Sequence, residues 1–343
     1  MIYQRGWLQF GVIILFVISC GYGYAEGEWS VMQKTDPEMR DYFSIAFTGS
    51  KEGWVVGISV FDMDYPGFIG HTKDGGRTWS KAEVDVNKSL SAIYFFDEKH
   101  GWAIGAEGMI VATKDGGKRW NIQTSKVGND LYSVFFTSPT NGFVVGMGET
   151  ILQTTNGGNT WKTVRGGQAG SGVGEDDTSV FNGVQFVDGS TGWVVGVRLS
   201  PRTGGQDGLI QKTVDGGTSW IDQPTHIEDI LKAVFFVNAS TGWAVGENGV
   251  ILHTTNGGDS WESQTSGTEE HLLSVQFASD TVGWAVGGDF GVAEIIQTTD
   301  GGKTWQKQQL NDPFAAKIPV KGVFVRGDRA WVTGNRGLVM QYR

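Results

Sequence analysis

Cysteine is almost missing from this sequence: of 343 residues only Cys20 is one. No disulfide can therefore form within the chain, and a folded domain must be held by packing alone. Proline is sparse, with seven residues, and charged side chains make up only 19%. Net charge is −10, with none of the basic excess that a general nucleic-acid binder carries. No segment keeps a 3.6-residue apolar period, which excludes a helical bundle or solenoid. The one long apolar run, residues 10–19, is too short to span a bilayer as a helix.

That run follows Arg5 and has the form of a secretory signal. Two cleavage readings stay open. Gly23-Tyr24-Ala25 suits a type I signal peptidase, giving a signal over 1–25. Val17-Ile18-Ser19-Cys20 resembles a lipobox, giving a signal over 1–19 and acylation at Cys20. The position of the sole cysteine at the end of the apolar run favours the second. Either reading exports the protein, to a periplasm or cell envelope.

Glycine and tryptophan are abundant instead, at 53 and 14 residues. Glycine without a G-X-Y period marks tight turns rather than collagen, and tryptophan supplies packing area. The two recur together. "TKDGGRTW" (72–79) returns as "TKDGGKRW" (113–120), "TTNGGNTW" (154–161), "TVDGGTSW" (213–220), "TTNGGDSW" (254–261) and "TTDGGKTW" (298–305). Each is preceded by a second motif, such as "GWVVG" (53–57) or "GWAVG" (242–246), with a degenerate copy "AWVTG" at 330–334. Ahead of each second motif lies a β-rich run such as "SAIYF" or "KAVFF".

The unit is four short antiparallel strands repeating every 41–50 residues, which is one propeller blade. The last repeat ends at Arg343 without a fourth strand, while Trp29 heads a spare strand before the first blade. The expected fold is all-β: one seven-bladed propeller over 28–343, with residues 28–34 completing the last blade. Ser44, Ala92, Ser133, Gly183, Ala233, Ser274 and Gly322 form a column of small residues, expected where blades crowd the axis.

The Gly-Gly turn resembles the Asp-box, or BNR repeat, best known from sialidases. Its carboxylates are candidates for catalysis or for turn architecture. Two of the six positions, Asn156 and Asn256, hold amides with no acid or base function, so the turn reads as scaffold. The sequence contains no H-E-x-x-H, G-x-S-x-G or phosphate-binding loop. A sialidase would carry an Arg-Ile-Pro motif near its start, whereas the only Ile-Pro is Ile318-Pro319, after Lys317. No catalytic residue, metal site or cofactor is expected. His71 and His253 share one repeat position and read as a tolerant surface or strand site.

Strand order puts the second-to-third turns and the blade connections on one face. Four long segments belong there: 59–68, 198–208, 287–294 and 164–179. Loop elaboration on one rim of a rigid scaffold marks a binding face. Candidate partner contacts are Arg165, Arg198, Arg202, Lys232, Lys321 and Tyr65, with Phe68 and Phe290 as further loop aromatics. Acidic residues share the face: Asp62, Asp64, Glu175, Asp176 and Asp177, with Glu107, Glu149 and Glu247 in the short turns.

The whole of 28–343, with "GWAVG…TT(N/D)GG…W" in nearly every blade, resembles the photosystem II stability/assembly factor family. The resemblance implies a lumenal or lipid-anchored, non-enzymatic factor that binds a reaction-centre subunit through an arginine-rich patch. Arg165, Arg198 and Arg202 match that patch best. In a photosynthetic source the expected partner is a photosystem II subunit in the thylakoid lumen; otherwise it is an envelope protein. The other reading is a carbohydrate-active protein, a glycosidase or glycan-binding module, using carboxylates such as Asp62, Asp64 and Glu175–Asp177.

Overall fold

Packing begins with a ring lying flat on a glycine. In blade two, Phe95 ends the inner strand Leu90–Phe95 and covers Gly101, the first residue of "GWAIG". A Cβ on Gly101 would stand 2.6 Å from that ring, so only glycine admits it. The neighbouring Trp102 points the other way and stacks on Phe136 of blade three, centroids 3.4 Å apart. Trp161, which closes blade three's Gly-Gly turn, meets the same phenylalanine edge-on at 84°. The three-ring unit recurs around the molecule, as in Trp193–Phe236–Trp261 and Trp243–Phe277–Trp305. The two motifs of the repeat thus meet in one interface: one blade's second strand against the next blade's first strand and turn.

The computed structural model describes residues 27–60, 64–166, 179–200, 205–289 and 291–343. They form seven four-stranded antiparallel sheets, six of them with strands in sequence order from axis to rim. Blade one is Asp41–Phe47, Gly53–Ile58, Gly67–Thr72 and Ser80–Lys81. The last sheet alone breaks chain order. Its strands Val320–Arg326, Arg329–Gly334 and Val339–Tyr342 are completed by Trp29–Gln33. Trp29 stands opposite Tyr342 and Val31 opposite Met340, so the spare N-terminal strand closes the ring as its sequence suggests.

The small-residue column lines a central channel of about 360 Å³. A Cβ on Gly183 would lie 3.0 Å from Val195 and 3.3 Å from the Ala233 backbone. The serines of the column also bond between blades. Ser44 Oγ accepts the N–H of Ile93, Ser133 Oγ that of Val184, and Ser274 Oγ that of Val323, at 3.2–3.3 Å.

The Gly-Gly turns are tied up internally. Asp74 Oδ1 accepts the N–H groups of Arg77 and Thr78, while Oδ2 accepts the Thr78 hydroxyl at 2.6 Å. Thr72 Oγ1 donates to Asp74 and accepts the N–H of Gly76. Asn156 does the same work: its Oδ1 accepts the N–H of Thr160 and its Nδ2 donates to the Thr160 hydroxyl. The shared histidine position is more constrained than its sequence suggests. His71 and His253 are cross-strand partners of Trp54 and Trp243, and stack on them at 5.0 and 4.8 Å.

Trp29→Ala removes a buried ring from the closing strand and should lower stability by about 3–5 kcal/mol in urea unfolding; a loss below about 1 kcal/mol would mean that the strand does not hold the ring. The turns carry a pH dependence of their own. Burial opposes ionisation of Asp74, but bonds from Thr78, Thr72 and Arg77 outweigh it and hold the carboxyl at about 2. The Arg119 side chain and N–H bring Asp115 to about 2. At Asp215 the Ser219 hydroxyl and N–H do the same, again giving about 2. These pKa values are depressed on folding, so their stabilisation is complete above the unfolded carboxyl pKa and lost as pH falls through the folded one. The melting temperature should fall between about pH 4 and 2, and Asp115→Asn with Asp215→Asn should flatten that fall.

Candidate partner-binding face

Hydrogen bonds assign each turn to a face. Every Gly-Gly turn bonds the first-to-second turn of its own blade, as Gly75 N–H does to Lys51 O and Gly257 N–H to Ser240 O. Second-to-third turns instead bond the connections entering a blade. Ala106 N–H donates to Ser89 O and Glu247 N–H to Ile230 O. The connection into the next blade caps the same turns: Asp130 accepts the N–H of Glu107, His271 Nδ1 that of Asn248, and Asp41 that of Arg336. All four long segments leave from this second face. The blade-four segment continues the strand ladder outward to Ser200 opposite Gly205, and the blade-six segment is pinned by Ala293 N–H on Ala316 O.

Arg165 and Arg198 do come together, but as parts of a charge-balanced chain. Arg165, at the end of Lys162–Arg165, pairs with the buried carboxylate of Glu149 and lies over the Phe181 ring. It also donates to Gln211 Oε1 at 3.1 Å. Buried Gln211 donates onward to Asp222 at 2.6 Å, and Asp222 accepts both bonds from Arg198, at 3.0 and 3.1 Å. The chain runs from the blade-three turn to the outer strand of blade four. Arg198 is its exposed end, with 41% of its side chain accessible.

The lysines lie elsewhere, at the mouth of the channel. Lys232 and Lys321 are the second residues of the inner strands of blades five and seven and line the mouth with Phe43, Tyr132, Asn182 and Leu273. Lys232 pairs with Glu247 at 2.8 Å; Lys321 has no ion pair among the described residues. Asn182 donates to Leu231 O, fixing its amide at the rim. Tyr65 sits on the blade-one segment, 55% exposed, at φ 47°, with exposed Asp64 beside it. Blades one and four are separated by two others, so Tyr65 does not share a patch with the arginines. Phe68 is corrected by the structure. It is 2% exposed, covered by Arg40 at 5.0 Å and packed on Tyr42 at 5.2 Å, and it is core rather than anchor. Arg202, Asp62, Glu175, Asp176, Asp177, Phe290 and Cys20 lie outside the described residues. No group of three or more His, Cys, Asp or Glu is placed to hold a metal ion among the described residues.

A family model described as photosynthesis system II assembly factor YCF48 matches residues 77–132, 123–202, 175–268 and 260–343. The chain belongs to the YCF48 family. Two curated YCF48 relatives, photosystem II assembly lipoproteins from Trichormus variabilis and a Nostoc species, are 38% identical over 53 residues. That match spans 16% of this chain and only 15% of the relatives' length. Among solved structures, YCF48 from Cyanidioschyzon merolae matches with a TM-score of 0.68 at 22% identity, over 92% of this chain and 98% of that one. A YCF48 bound to a D1 peptide matches with a TM-score of 0.68 at 18% identity, over 93% and 96% of the two chains. A virginiamycin B lyase from Staphylococcus aureus reaches 0.69 at 12% identity, over 92% and 99%. Structural likeness at these identities establishes the propeller alone.

In this YCF48-family chain, sequence reasoning missed Gln211, Asp222, Tyr132 and Asn182. The mouth residues had a signal: each stands one place before the small-residue column. Gln211 and Asp222 had none: Gln211 meets Arg165 across two blades, and Asp222 joins the chain only through Gln211 and Arg198 of its own blade. Arg165→Ala should cost about 3–5 kcal/mol by leaving the Glu149 carboxylate buried and unpaired, whereas Arg198→Ala should change stability by less than about 1 kcal/mol. Adding Glu149→Gln to Arg165→Ala should restore much of the loss in denaturant titration; equal losses in all three variants would refute the buried pair.

Proposed function

We propose that this protein is an exported, non-catalytic assembly factor that binds a segment of a photosystem II reaction-centre subunit on its loop-bearing face. Membership of the YCF48 family carries the proposal. A fold relative bound to a D1 peptide supports a peptide from that class of subunit as the ligand, and the lipoprotein relatives support export with acylation at Cys20. Residues 1–19 are then the signal, and 28–343 the binding domain. The non-catalytic reading draws on the Gly-Gly turns, whose carboxylates are saturated by their own backbone and hydroxyl groups.

The binding residues we assign are Lys232, Lys321, Arg198 and Arg202, with Tyr65 as a separate hydrophobic contact and Arg165 as the support of its network. Lys321 offers an ammonium with no ion pair among the described residues, and Lys232 exchanges Glu247 for a carboxylate of the ligand. Arg198 bonds both oxygens of Asp222 through one guanidinium nitrogen, Nη2, and a guanidinium is the group that takes the carboxylates of an acidic peptide. On a chain of net charge −10 such local cations set orientation and association rate more than bulk attraction does.

Labelled peptides tiling the D1 subunit should include at least one that binds the wild type in fluorescence anisotropy. Lys232→Ala with Lys321→Ala should weaken it by about tenfold or more, with a smaller effect of added salt on the variant. Tight binding that ignores both lysines and Arg198→Ala would remove these residues from the site, and failure of every D1 peptide would remove the partner.

A further inference from the structure

The opposite face is charged unevenly around the ring. The turns of blade one place Lys51, Lys73 and Arg77 on it, and those of blade two place Lys99, Lys114 and Lys118; all six are exposed. Gly75 N–H on Lys51 O and Gly116 N–H on Lys99 O hold the two turns of each blade side by side. A groove across the blade boundary is lined by Lys99, Lys114 and Lys118. Lys51, Lys73, Lys99 and Lys118 have no ion pair among the described residues. Five carboxylates share these turns, Glu52, Asp74, Asp97, Glu98 and Asp115, against seven cations with Arg119 included, so the sector keeps a net charge of +2. Glu52 lies against His71, Asp97 against His100, Asp115 against Arg119, and Asp74 against its own turn. Glu98 is the exposed exception. Blade seven extends the sector with exposed Arg326, whose guanidinium donates to Phe47 O of blade one, and with Arg329, against exposed Asp328 in the same turn.

Blades four to six carry the reverse sign on the same face. Their turns hold Asp188, Asp215, Asp259, Asp280 and Asp300 against Lys303. Phe96, 40% exposed, stands in the first-to-second turn of blade two, within the basic sector.

The start of the closing strand lies on this same face. Trp29 pairs with Tyr342, and Glu28 N–H donates to Arg343 O. Third strands run from the loop-bearing face to the Gly-Gly-turn face, so Tyr342 and Arg343 lie at the latter. Gly27, which precedes this strand, therefore lies at the Gly-Gly-turn face of blade seven, beside the basic sector. From Cys20 to Gly27 the backbone reaches at most about 25 Å.

We propose that the Gly-Gly-turn face of blades seven, one and two docks on anionic lipid headgroups, turning the loop-bearing face away from the membrane. Exposed lysines beside an anionic leaflet are attracted to it within a Debye length. A lipobox cysteine carries a diacylglyceryl group, whose two acyl chains already anchor a protein; the basic sector adds orientation, fixing which face meets the leaflet. The anchor at Cys20 rests on the proposed lipoprotein reading; the charge pattern does not. The acidic sector of blades four to six is repelled, so the ring sits tilted, with its binding face open to the aqueous side.

The test uses the chain from Gly21 onward, which lacks the apolar run and Cys20 but contains every strand from Trp29 to Tyr342. Vesicles of phosphatidylcholine with about 30 mol% phosphatidylglycerol are compared with pure phosphatidylcholine by co-sedimentation. Wild type should bind the anionic vesicles alone, and salt should release it. Lys73→Glu with Lys118→Glu should weaken binding by about tenfold or more. Lys162→Glu with Lys303→Glu, an equal change of net charge outside the sector, should leave it within about twofold. Thermal melts confirm folding, and Lys73→Gln with Lys118→Gln supplies a milder pair. Equal loss in both charge-reversed pairs, equal binding to both vesicles, or no binding by wild type would each overturn the proposal. So would a patch whose reversal abolishes capture of a protein while vesicle binding is untouched. Because no photosystem peptide is involved, failure here leaves the proposed partner standing.

Discussion

The stack of aromatic rings between blades is the interaction on which the rest of the molecule depends. Without disulfides, each blade is held to the next by apolar area and ring geometry, and the unit Trp–Phe–Trp supplies both. One junction lacks its central ring. Val325 stands in blade seven where the other blades place a phenylalanine, so Trp284 of blade six has no stacking partner there. Tyr342 takes the place instead, 5.4 Å from Trp284 and 5.4 Å from Trp29. Its hydroxyl also lies within hydrogen-bond distance of Gln297. The closing strand therefore does two things at once: it pairs the last open edge and brings in the third ring of the substituted stack.

A rigid ring lets its two faces specialise. The Gly-Gly turns are short, internally bonded and nearly identical, and they differ chiefly in the charges at their tips. The second-to-third turns and connections vary in length because nothing in the repeat constrains them beyond one capping bond from the next blade. The proposed recognition on one face and the proposed lipid contact on the other are then separable: substitutions in one set of turns leave the opposite set in place.

The repeat architecture was legible in the sequence because its determinants are local. Gly101 beside Trp102, and Asp115 with Thr113 and Gly117, act within a few residues, so each motif announces its own turn. Ring closure was legible for a different reason: an unmatched Trp29 and a missing fourth strand are two gaps that fit each other. Phe68 was misread because it follows a long insertion. Aligned on "GMI" of blade two, it falls on Met109, at the start of the third strand, where side chains turn to the core.

Composition and spacing thus determined the number of blades, the order of strands and which turns share a face, since these follow from a period and from the alternation of antiparallel strands. Only the tertiary structure decided how each cation is partnered. Arg165 meets Glu149 inside blade three and Gln211 because blades three and four pack together there, while Lys321, at the equivalent strand position to Lys232, is left without an ion pair among the described residues. Such pairings join residues tens of positions apart through burial and blade rotation. No local pattern records them, because the energy of a charge depends on what desolvates it rather than on its neighbours in the chain.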